Sequence, residues 1–231
     1  MIDFTQFEVI TFDCYGTLID WESGILSAMR PMLEERGVDL GDDELLEMYS
    51  QFESEAQKGK YVSYKKNLQT VVLKFAMKYD FIPLPAEADA ISDSIKNWLP
   101  FEDTVDALKT LKEHYKLAII SNIDDDLFEA TAKHLDVEFD WVITAQQVQA
   151  YKPSIRNFTF AFDKMGISAG KILHVAQSLY HDIAPAKSLG INTVWVNRRE
   201  GMTGTGATPH QDVKPDLEIG DLNELVWTMD L

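Results

Sequence analysis

The segment from Glu8 to Asp20 constrains the fold more strongly than any other part of the chain. It reads EVITFDCYGTLID, an apolar and β-branched run that ends in Asp13 and is followed by a tight turn with Gly16 and Thr17. Residues 6 to 13 are therefore predicted to form a buried strand. A carboxylate at the carboxyl end of a strand in an α/β sheet lies where such folds bind ligands and carry out reactions. Asp13 is the first candidate for a reacting group.

The stretch that follows, residues 20 to 98, contains helical patterns and no convincing strand. The four predicted helices are Glu22–Arg36, Asp43–Lys58, Tyr64–Tyr79 and Glu87–Trp98. Gly37 and Gly59 are stop signals after the first two helices, and the apolar residues of the third recur at helical spacing. We expect these residues to form a four-helix cap domain, inserted directly after the first strand.

From residue 99 onward, helices alternate with short apolar strands. The predicted helices are Thr104–Tyr115, Asp126–Leu135, Ile155–Met165 and His181–Leu189, and the predicted strands are Leu117–Ile120, Trp141–Thr144, Ile172–Val175 and Thr193–Val196. Continuously apolar strands between helices indicate an α/β fold whose parallel sheet is covered on both faces. The core domain should comprise residues 1–19 and 99–231. The glycine-containing segment Arg198–Lys214 is predicted to be a mobile surface loop.

Composition excludes several classes of partner. The formal net charge of −17 argues against binding to nucleic acid or to an anionic membrane, because both need basic patches. Cys14 is the only cysteine, which rules out an internal disulfide and suggests a reducing compartment. No apolar stretch has the length of a membrane span, and the first residues do not resemble a signal peptide. A cytoplasmic location is expected, and homodimer formation stays open.

Four polar features follow the ends of predicted strands. In chain order they are Asp13 with Thr17, Ser121 with Asn122, Lys152, and the segment Gln177–Asp182, which includes Ser178. The carboxyl ends of parallel strands meet at one edge of a sheet, so these residues should converge. Taken singly, a strand-end Asp can be a turn residue and Ser121-Asn122 can be a helix cap. The complete set favours catalysis.

The chemistry of this set is coherent. Asp13 would supply a nucleophilic oxygen, and Lys152 is a cation that would keep that carboxylate ionised. Asp182 would hold Lys152 in place. Donors for an anionic group are expected from Thr17, Ser121, Asn122 and Ser178.

The order and spacing of Asp13, Ser121, Lys152 and Asp182 resemble the motifs of the haloacid dehalogenase-like (HAD) hydrolase superfamily. The resemblance covers nearly the whole sequence, including the helical cap. It implies a Rossmann-like parallel sheet core (the HAD fold) with a four-helix cap, and a reaction that proceeds through an aspartyl ester on Asp13.

Two departures select a branch of this superfamily. Its phosphatases carry an aspartate two residues after the nucleophile, where this chain has Tyr15, and a Gly-Asp pair where it has Ala176-Gln177. Without these carboxylates the leaving group has no proton donor and Mg²⁺ loses hard anionic ligands. The segment Asp13–Thr17 is similar to that of the L-2-haloacid dehalogenases. That branch implies metal-independent, cofactor-free displacement of halide from a short 2-haloalkanoic acid, with inversion at carbon 2.

The implied substrate is a small carboxylic acid, and the residues expected to bind it are Tyr15, Asn122, Gln177, Ser178 and Trp21. The pattern of the dehalogenases is incomplete in this chain. No arginine lies around Glu44, where those enzymes have one that cradles the halide. Phe158 and Leu179 replace an expected tyrosine and asparagine. These changes leave the identity of the leaving group open.

Other readings remain. The segments Asp13–Ile25 and His174–Pro185 also resemble the (S)-azetidine-2-carboxylate hydrolase branch, whose amine leaving group would need a proton, with Tyr15 or His181 as candidate donors. A HAD phosphatase and a catalytically silent binding protein are further alternatives. A buried carboxylate–ammonium pair costs stability if it is unused, and this disfavours the silent protein.

Overall fold

The computed structural model describes residues 2–231, so Met1, which the predicted core domain includes, lies outside the described residues. The helices are α1 (Trp21–Glu34), α2 (Asp42–Ala56), α3 (Tyr64–Lys78), α4 (Pro85–Ala88), α5 (Ala90–Ser94), α6 (Thr104–His114), α7 (Asp125–Leu135), α8 (Ala145–Val148), α9 (Arg156–Met165), α10 (Ala184–Ser188) and α11 (Leu222–Thr228). The strands are β1 (Val9–Phe12), β2 (Lys116–Ser121), β3 (Trp141–Thr144), β4 (Ile172–Ala176), β5 (Asn192–Val196) and β6 (Leu217–Ile219).

The six strands form one parallel sheet in the order β3-β2-β1-β4-β5-β6. All four residues of β1 are buried, as expected for a central strand that is covered on both faces. The α/β prediction and the five predicted strands are confirmed. The sixth strand and α11 were not predicted, because Leu217–Ile219 is short and carries an exposed Glu218, so it lacks an apolar run.

Helices α1, α2 and α3 confirm the first three helical predictions of residues 20–98. Asp20 and Ser63 cap α1 and α3, since their side chains accept the backbone N–H groups of Ser23 and Lys66. The fourth prediction, one helix over Glu87–Trp98, is wrong. The chain forms α4, α5 and a 3₁₀ turn at Ile95–Asn97 instead.

Local side-chain bonds explain this interruption. Glu87 accepts the backbone N–H of Leu84 at 2.6 Å and a guanidinium N–H of Arg36 at 2.7 Å. Asp89, between α4 and α5, accepts the side-chain amide of Gln69 at 2.7 Å. The acidic residues of this stretch thus bind neighbouring groups, and the helix restarts after Asp89.

The predicted helix His181–Leu189 also needs correction at its start. Residues Leu179–Ile183 form a π-helical turn, and α10 begins only at Ala184. Pro185 has no backbone N–H, so a regular helical bond to the carbonyl of His181 cannot form.

The helices of residues 20–98 pack on the carboxyl edge of the sheet. Ile25, Tyr49 and Phe75 of α1, α2 and α3 belong to the same buried cluster as Phe12 of β1. Gly16 has φ +91°, and a Cβ there would lie 2.8 Å from the indole nitrogen of Trp21, so the turn after β1 requires glycine. Within residues 2–231, none of the helices is both long and apolar enough to cross a membrane.

Candidate active site

A buried charge cluster lies at the carboxyl end of β1. The Lys152 ammonium donates to Asp13 Oδ1 at 2.8 Å, to Asp182 Oδ1 at 2.7 Å and to the carbonyl of Ile120 at 2.8 Å. All three N–H donors of the lysine are therefore used. Lys152 is 1% exposed and Asp182 is fully buried. The sequence-based expectation that these residues meet at one sheet edge is confirmed.

Asp182 is fixed from a second side. The ring Nε2 of His174 lies 3.0 Å from Asp182 Oδ1, and its Nδ1 lies 2.8 Å from the hydroxyl of Thr11. An Nε2–H tautomer fits both contacts, because it donates to the carboxylate and accepts from Thr11. The side chains of two adjacent strands, β1 and β4, thus orient the carboxylate that holds Lys152.

Thr17 binds the candidate nucleophile directly. Its hydroxyl donates to Asp13 Oδ2 at 2.9 Å and accepts the backbone N–H of Gln177 at 2.9 Å. Both oxygens of the Asp13 carboxylate are therefore oriented, one by Lys152 and one by Thr17. The hydroxyl of Thr17 is occupied in this way, which corrects its assignment as a donor to a bound anion.

Asn122 and Ser121 differ in their surroundings. Asn122 donates its amide to the Lys152 carbonyl at 3.1 Å and accepts the Lys152 backbone N–H at 2.7 Å. It therefore positions the lysine segment. Ser121 is 2% exposed, and its hydroxyl has no hydrogen-bond partner among residues 2–231. Ser121 is consequently a donor that remains available to a ligand.

The residues expected to bind substrate fall into two groups. Trp21 and Ser178 are buried and line the cavity beside Asp13. Tyr15 lines it too, but its hydroxyl lies 2.7 Å from the hydroxyl of Thr131. Gln177 lines a different cavity, and its side-chain amide contacts Thr208. The ring of Tyr15 is thus a wall of the site, whereas the Gln177 side chain lies outside it.

Two cavities meet at Trp21, which lines both. The one beside Asp13 has a volume of about 30 Å³, enough for a few water molecules at ~10–15 Å³ each. The other, of about 780 Å³, opens between α1, the start of α2 and the segment after β5. The indole ring therefore separates the charge cluster from a larger, more open space.

Burial and charge set the protonation states of the cluster. Burial raises the pKa of Asp13, with a further increase from Asp182, against the opposing effect of the Lys152 ammonium. The two carboxylates raise the pKa of Lys152 despite its burial. Burial lowers the pKa of His181 to about 4. The lysine is thus cationic and His181 neutral at neutral pH.

Two cavity-lining residues of the cap helices, Glu53 and Tyr64, were not singled out from the sequence. Glu53 is 3% exposed, and the Tyr64 hydroxyl donates to its Oε1 at 2.7 Å. The available signal was helical spacing. Glu53 shares the buried face of α2 with Leu45, Leu46 and Tyr49, and an acidic residue on that face is unusual.

The segment predicted as a mobile surface loop also reaches the site. Ala207 and Thr208 are buried, and Thr208 lines the cavity beside Asp13. Arg199 pairs with Glu22 at 2.5 Å and with Asp43 at 2.7 Å. The segment is therefore a loop that joins the core to the starts of α1 and α2, and part of it is buried.

The donor set does not fit the divalent cation that the phosphatases of this fold use. Tyr15 stands at the first carboxylate position with its hydroxyl engaged by Thr131, and Gln177 stands at the second. The remaining carboxylates, Asp13 and Asp182, are bridged by the Lys152 ammonium. Among residues 2–231, no group of three or more His, Cys, Asp or Glu side chains is arranged to hold a metal ion.

Asp13 follows the first strand of a parallel α/β sheet, and Lys152 joins it to Asp182 at the same edge. This arrangement is typical of a class of hydrolases. A family model described as haloacid dehalogenase-like hydrolase matches residues 7–190. The chain belongs to this family of hydrolases.

Two dehalogenases and one solved dehalogenase structure are similar to this chain over nearly its whole length. The chain is 29% identical over 225 residues to an (S)-2-haloacid dehalogenase of Pseudomonas putida, covering 94% of this chain and 93% of the relative. It is 28% identical to (S)-2-haloacid dehalogenase 4A of Burkholderia cepacia, with 94% and 92% covered. The structure of the L-2-haloacid dehalogenase from Xanthobacter autotrophicus with chloropropionic acid covalently bound has a TM-score of 0.79 at 19% identity, and covers 97% of this chain and 98% of that enzyme.

Proposed function

We propose that this hydrolase removes halide from short 2-haloalkanoic acids, without a metal ion, through an ester on Asp13. The observation that carries the proposal is the Asp13 carboxylate, whose two oxygens are held by Lys152 and Thr17 in a buried cavity. The names of the two bacterial relatives support the substrate class.

The first step is displacement at carbon 2. A carboxylate oxygen of Asp13 forms a bond to that carbon while the carbon–halogen bond breaks and the halide leaves with the electron pair. Lys152 favours the ionised, nucleophilic form of Asp13 because its ammonium is 2.8 Å away in a buried setting. Attack from the side opposite the halide inverts the configuration at carbon 2.

The second step is hydrolysis of the ester. Water attacks the carbonyl carbon of the Asp13 ester, and the 2-hydroxy acid leaves with the oxygen that had attacked carbon 2 and with one proton of the water. The other proton is released, which returns Asp13 to a carboxylate. The other Asp13 oxygen keeps its hydrogen bond to Lys152 or Thr17. That donor stabilises the negative charge that develops on the carbonyl oxygen during water attack.

Ser121 is the donor that we assign to the carboxylate of the substrate. Its hydroxyl is buried and unpartnered among the described residues, whereas the three donors of Lys152 and the hydroxyl of Thr17 are already used. Asn122 and Asp182 act through Lys152, which they position. Ser178, Tyr15 and Trp21 shape the cavity.

Substrate entry requires movement in this arrangement. A halogenated three-carbon acid has more heavy atoms than a cavity of about 30 Å³ accepts. We propose that the cap, residues 20–98, moves relative to the core to admit the substrate and then closes, which excludes bulk water from Asp13. Trp21 lies at the boundary with the larger cavity, so its indole ring must move when the substrate passes from that cavity to Asp13.

The proposal is tested by halide release. Purified enzyme is assayed with fluoro-, chloro- and bromoacetate and with both enantiomers of 2-chloropropionate, beside a generic phosphate ester. We expect halide from at least one haloacid and no phosphate. Asp13→Asn, nearly isosteric, should lose about 10³-fold or more of the activity. Phosphate release that Asp13→Asn abolishes, with no halide from any haloacid, would contradict the proposed function.

A further inference from the structure

The cap side of the cavity beside Asp13 carries an acidic side chain and no cation. Trp21, Glu53 and Tyr64 line it from the cap helices, while Lys152, the only Lys or Arg among the lining residues, lies on the core side. The ammonium of Lys152 is already shared by Asp13 and Asp182. An anion that leaves toward the cap therefore meets no free positive charge.

In-line displacement fixes which side the leaving atom faces. The attacking oxygen, carbon 2 and the leaving atom lie close to one line, so an Asp13 that attacks from the sheet edge sends the leaving atom toward the cap. Glu53 projects from α2 on that side. The Glu53 carboxyl, whether ionised or protonated, is thus the group that the departing atom approaches.

Two tyrosine hydroxyls, those of Tyr64 and Tyr49, neighbour the carboxyl of Glu53. The Tyr64 hydroxyl donates to Glu53 Oε1 at 2.7 Å, and the Tyr49 hydroxyl lies 3.3 Å from that of Tyr64. Either hydroxyl can be the donor in the Tyr49–Tyr64 contact, and a hydrogen bond from Tyr49 also lowers the pKa of Glu53. Among residues 2–231, the one side-chain hydrogen bond to Glu53 within 3.5 Å is that of Tyr64 to Oε1, which leaves Oε2 as the oxygen that can carry a proton. A proton on Oε2 is therefore free to point into the cavity.

Burial keeps the Glu53 carboxyl mostly protonated below about pH 7. Glu53 is 3% exposed and forms no ion pair within residues 2–231, and an unpaired buried carboxyl favours its neutral form. Burial raises the pKa of Glu53 to about 7; the hydrogen bonds of Tyr64 and Tyr49 oppose the shift, and the charge of Asp13 adds to it. The other groups that face Glu53 are Tyr49, Tyr151, His181 and the Asp13–Lys152–Asp182 cluster.

We propose that the protonated carboxyl of Glu53 donates a hydrogen bond to the leaving atom and selects substrates whose leaving atom accepts it strongly. The inference rests on the proposed function. With a halide, the carbon–halogen bond breaks, the halide takes the electron pair, and the proton stays on Glu53 as a hydrogen-bond donor. Fluoride is the strongest acceptor of the halides. When the leaving atom is an amine nitrogen, the carbon–nitrogen bond breaks, the nitrogen takes the electron pair and the proton of Glu53, and the proton released when water hydrolyses the ester returns to Glu53.

This role predicts a pH dependence with a definite sign. The donor is present below the pKa of Glu53 and is lost above it, when a carboxylate repels the leaving anion. The kcat for 2-haloacids should therefore fall as the pH rises through about 7. Glu53→Gln keeps an N–H donor but cannot ionise, so its kcat should not show this fall. Tyr64→Phe removes a bond that favours the carboxylate, so the fall should move to higher pH.

The test compares kcat for 2-fluoro-, 2-chloro- and 2-bromopropionate in the wild type, Glu53→Gln, Glu53→Met and Tyr64→Phe. We expect Glu53→Met to lose about 10-fold or more on the fluoro substrate relative to the bromo substrate, with Glu53→Gln intermediate. Circular dichroism and the urea unfolding midpoint of each variant report whether the fold is retained.

Two results overturn the inference and are distinguishable. Wild-type turnover with a flat profile around pH 7, and equal losses in Glu53→Met on all three halides, would overturn the role of Glu53 and leave the proposed function intact. A wild type that releases halide from none of the three substrates would overturn both.

Discussion

Replacing Lys152 by Met should destabilise the protein strongly, because it removes the cation between two buried carboxylates. Methionine is unbranched and only one heavy atom shorter than lysine, so lost packing contributes little. At an effective dielectric constant of about 20, a pair of unit charges 2.8 Å apart gains roughly 6 kcal/mol, and Lys152 makes two such contacts at 2.8 and 2.7 Å. Desolvation offsets much of that gain. Breaking a buried pair nevertheless costs about 3–5 kcal/mol, which we expect as the loss in free energy of unfolding.

Lys187→Met is the matched control. Lys187 pairs with Asp216 at 2.7 Å, but both side chains are about one-third exposed. The same substitution at nearly the same distance should cost only ~0.2–1 kcal/mol, because solvent already screens the pair. Both variants are measured by urea unfolding at pH 7, followed by circular dichroism and fluorescence.

The pH dependence separates lost charge pairing from lost packing. Without Lys152, Asp13 and Asp182 face each other, so the folded-state pKa of at least one rises above its unfolded value. The penalty is present at neutral pH and disappears as the pH falls through that raised pKa. The stability difference between wild type and Lys152→Met should therefore shrink in acid. A pH-independent difference, or equal losses in the two variants at pH 7, would refute the reasoning.

Three further predictions concern activity. Chelator treatment should leave halide release unchanged, because Tyr15 and Gln177 stand where the metal carboxylates would be; turnover that chelation abolishes and Mg²⁺ restores would contradict this. Ser121→Ala should raise KM for 2-haloacids with a smaller change in kcat, measured by steady-state kinetics, since its unpartnered hydroxyl is assigned to the substrate carboxylate. The kcat/KM of the wild type should fall in acid with an apparent pKa above that of an ordinary carboxyl group, because burial raises the pKa of Asp13; a fall only below that range would count against ionised Asp13 as the nucleophile.

The sheet and the charge cluster were predictable because each follows from a local pattern. Apolar runs mark five of the six strands, and parallel topology alone brings Asp13, Ser121 and Lys152 to one edge. The sixth strand, with Glu218 at its centre, forms by pairing with β5. Its own sequence carries no such run.

The residues that line the cap side of the cavity were harder to predict from the sequence. Glu53 belongs to a helix that was predicted, but which of its polar residues faces Asp13 depends on how α2 packs on the sheet. Asp124 shows the same dependence. Its carboxylate accepts the backbone N–H groups of Tyr64 and Lys65 at 2.9 and 3.0 Å, so a core residue caps the start of α3. Contacts between residues so far apart in sequence leave no periodic signal.

The hydrogen-bonding roles of Thr17 and Tyr15 likewise depend on the three-dimensional arrangement of their neighbours. Both were expected to serve the substrate. The hydroxyl of Thr17 binds Asp13 and that of Tyr15 lies against Thr131. A sequence identifies the donors near a site, whereas only geometry shows which of them already have partners.

The measurement that tests the central claim most directly is a single turnover in H₂¹⁸O with enzyme in excess over a 2-haloacid. If Asp13 forms the ester and water attacks its carbonyl carbon, the product carries ¹⁶O from the enzyme, and mass spectrometry finds ¹⁸O in the peptide that contains Asp13. Label in the 2-hydroxy acid after that first turnover, with none in the Asp13 peptide, would mean that water attacks the substrate directly, and the account of Asp13 as nucleophile would be wrong.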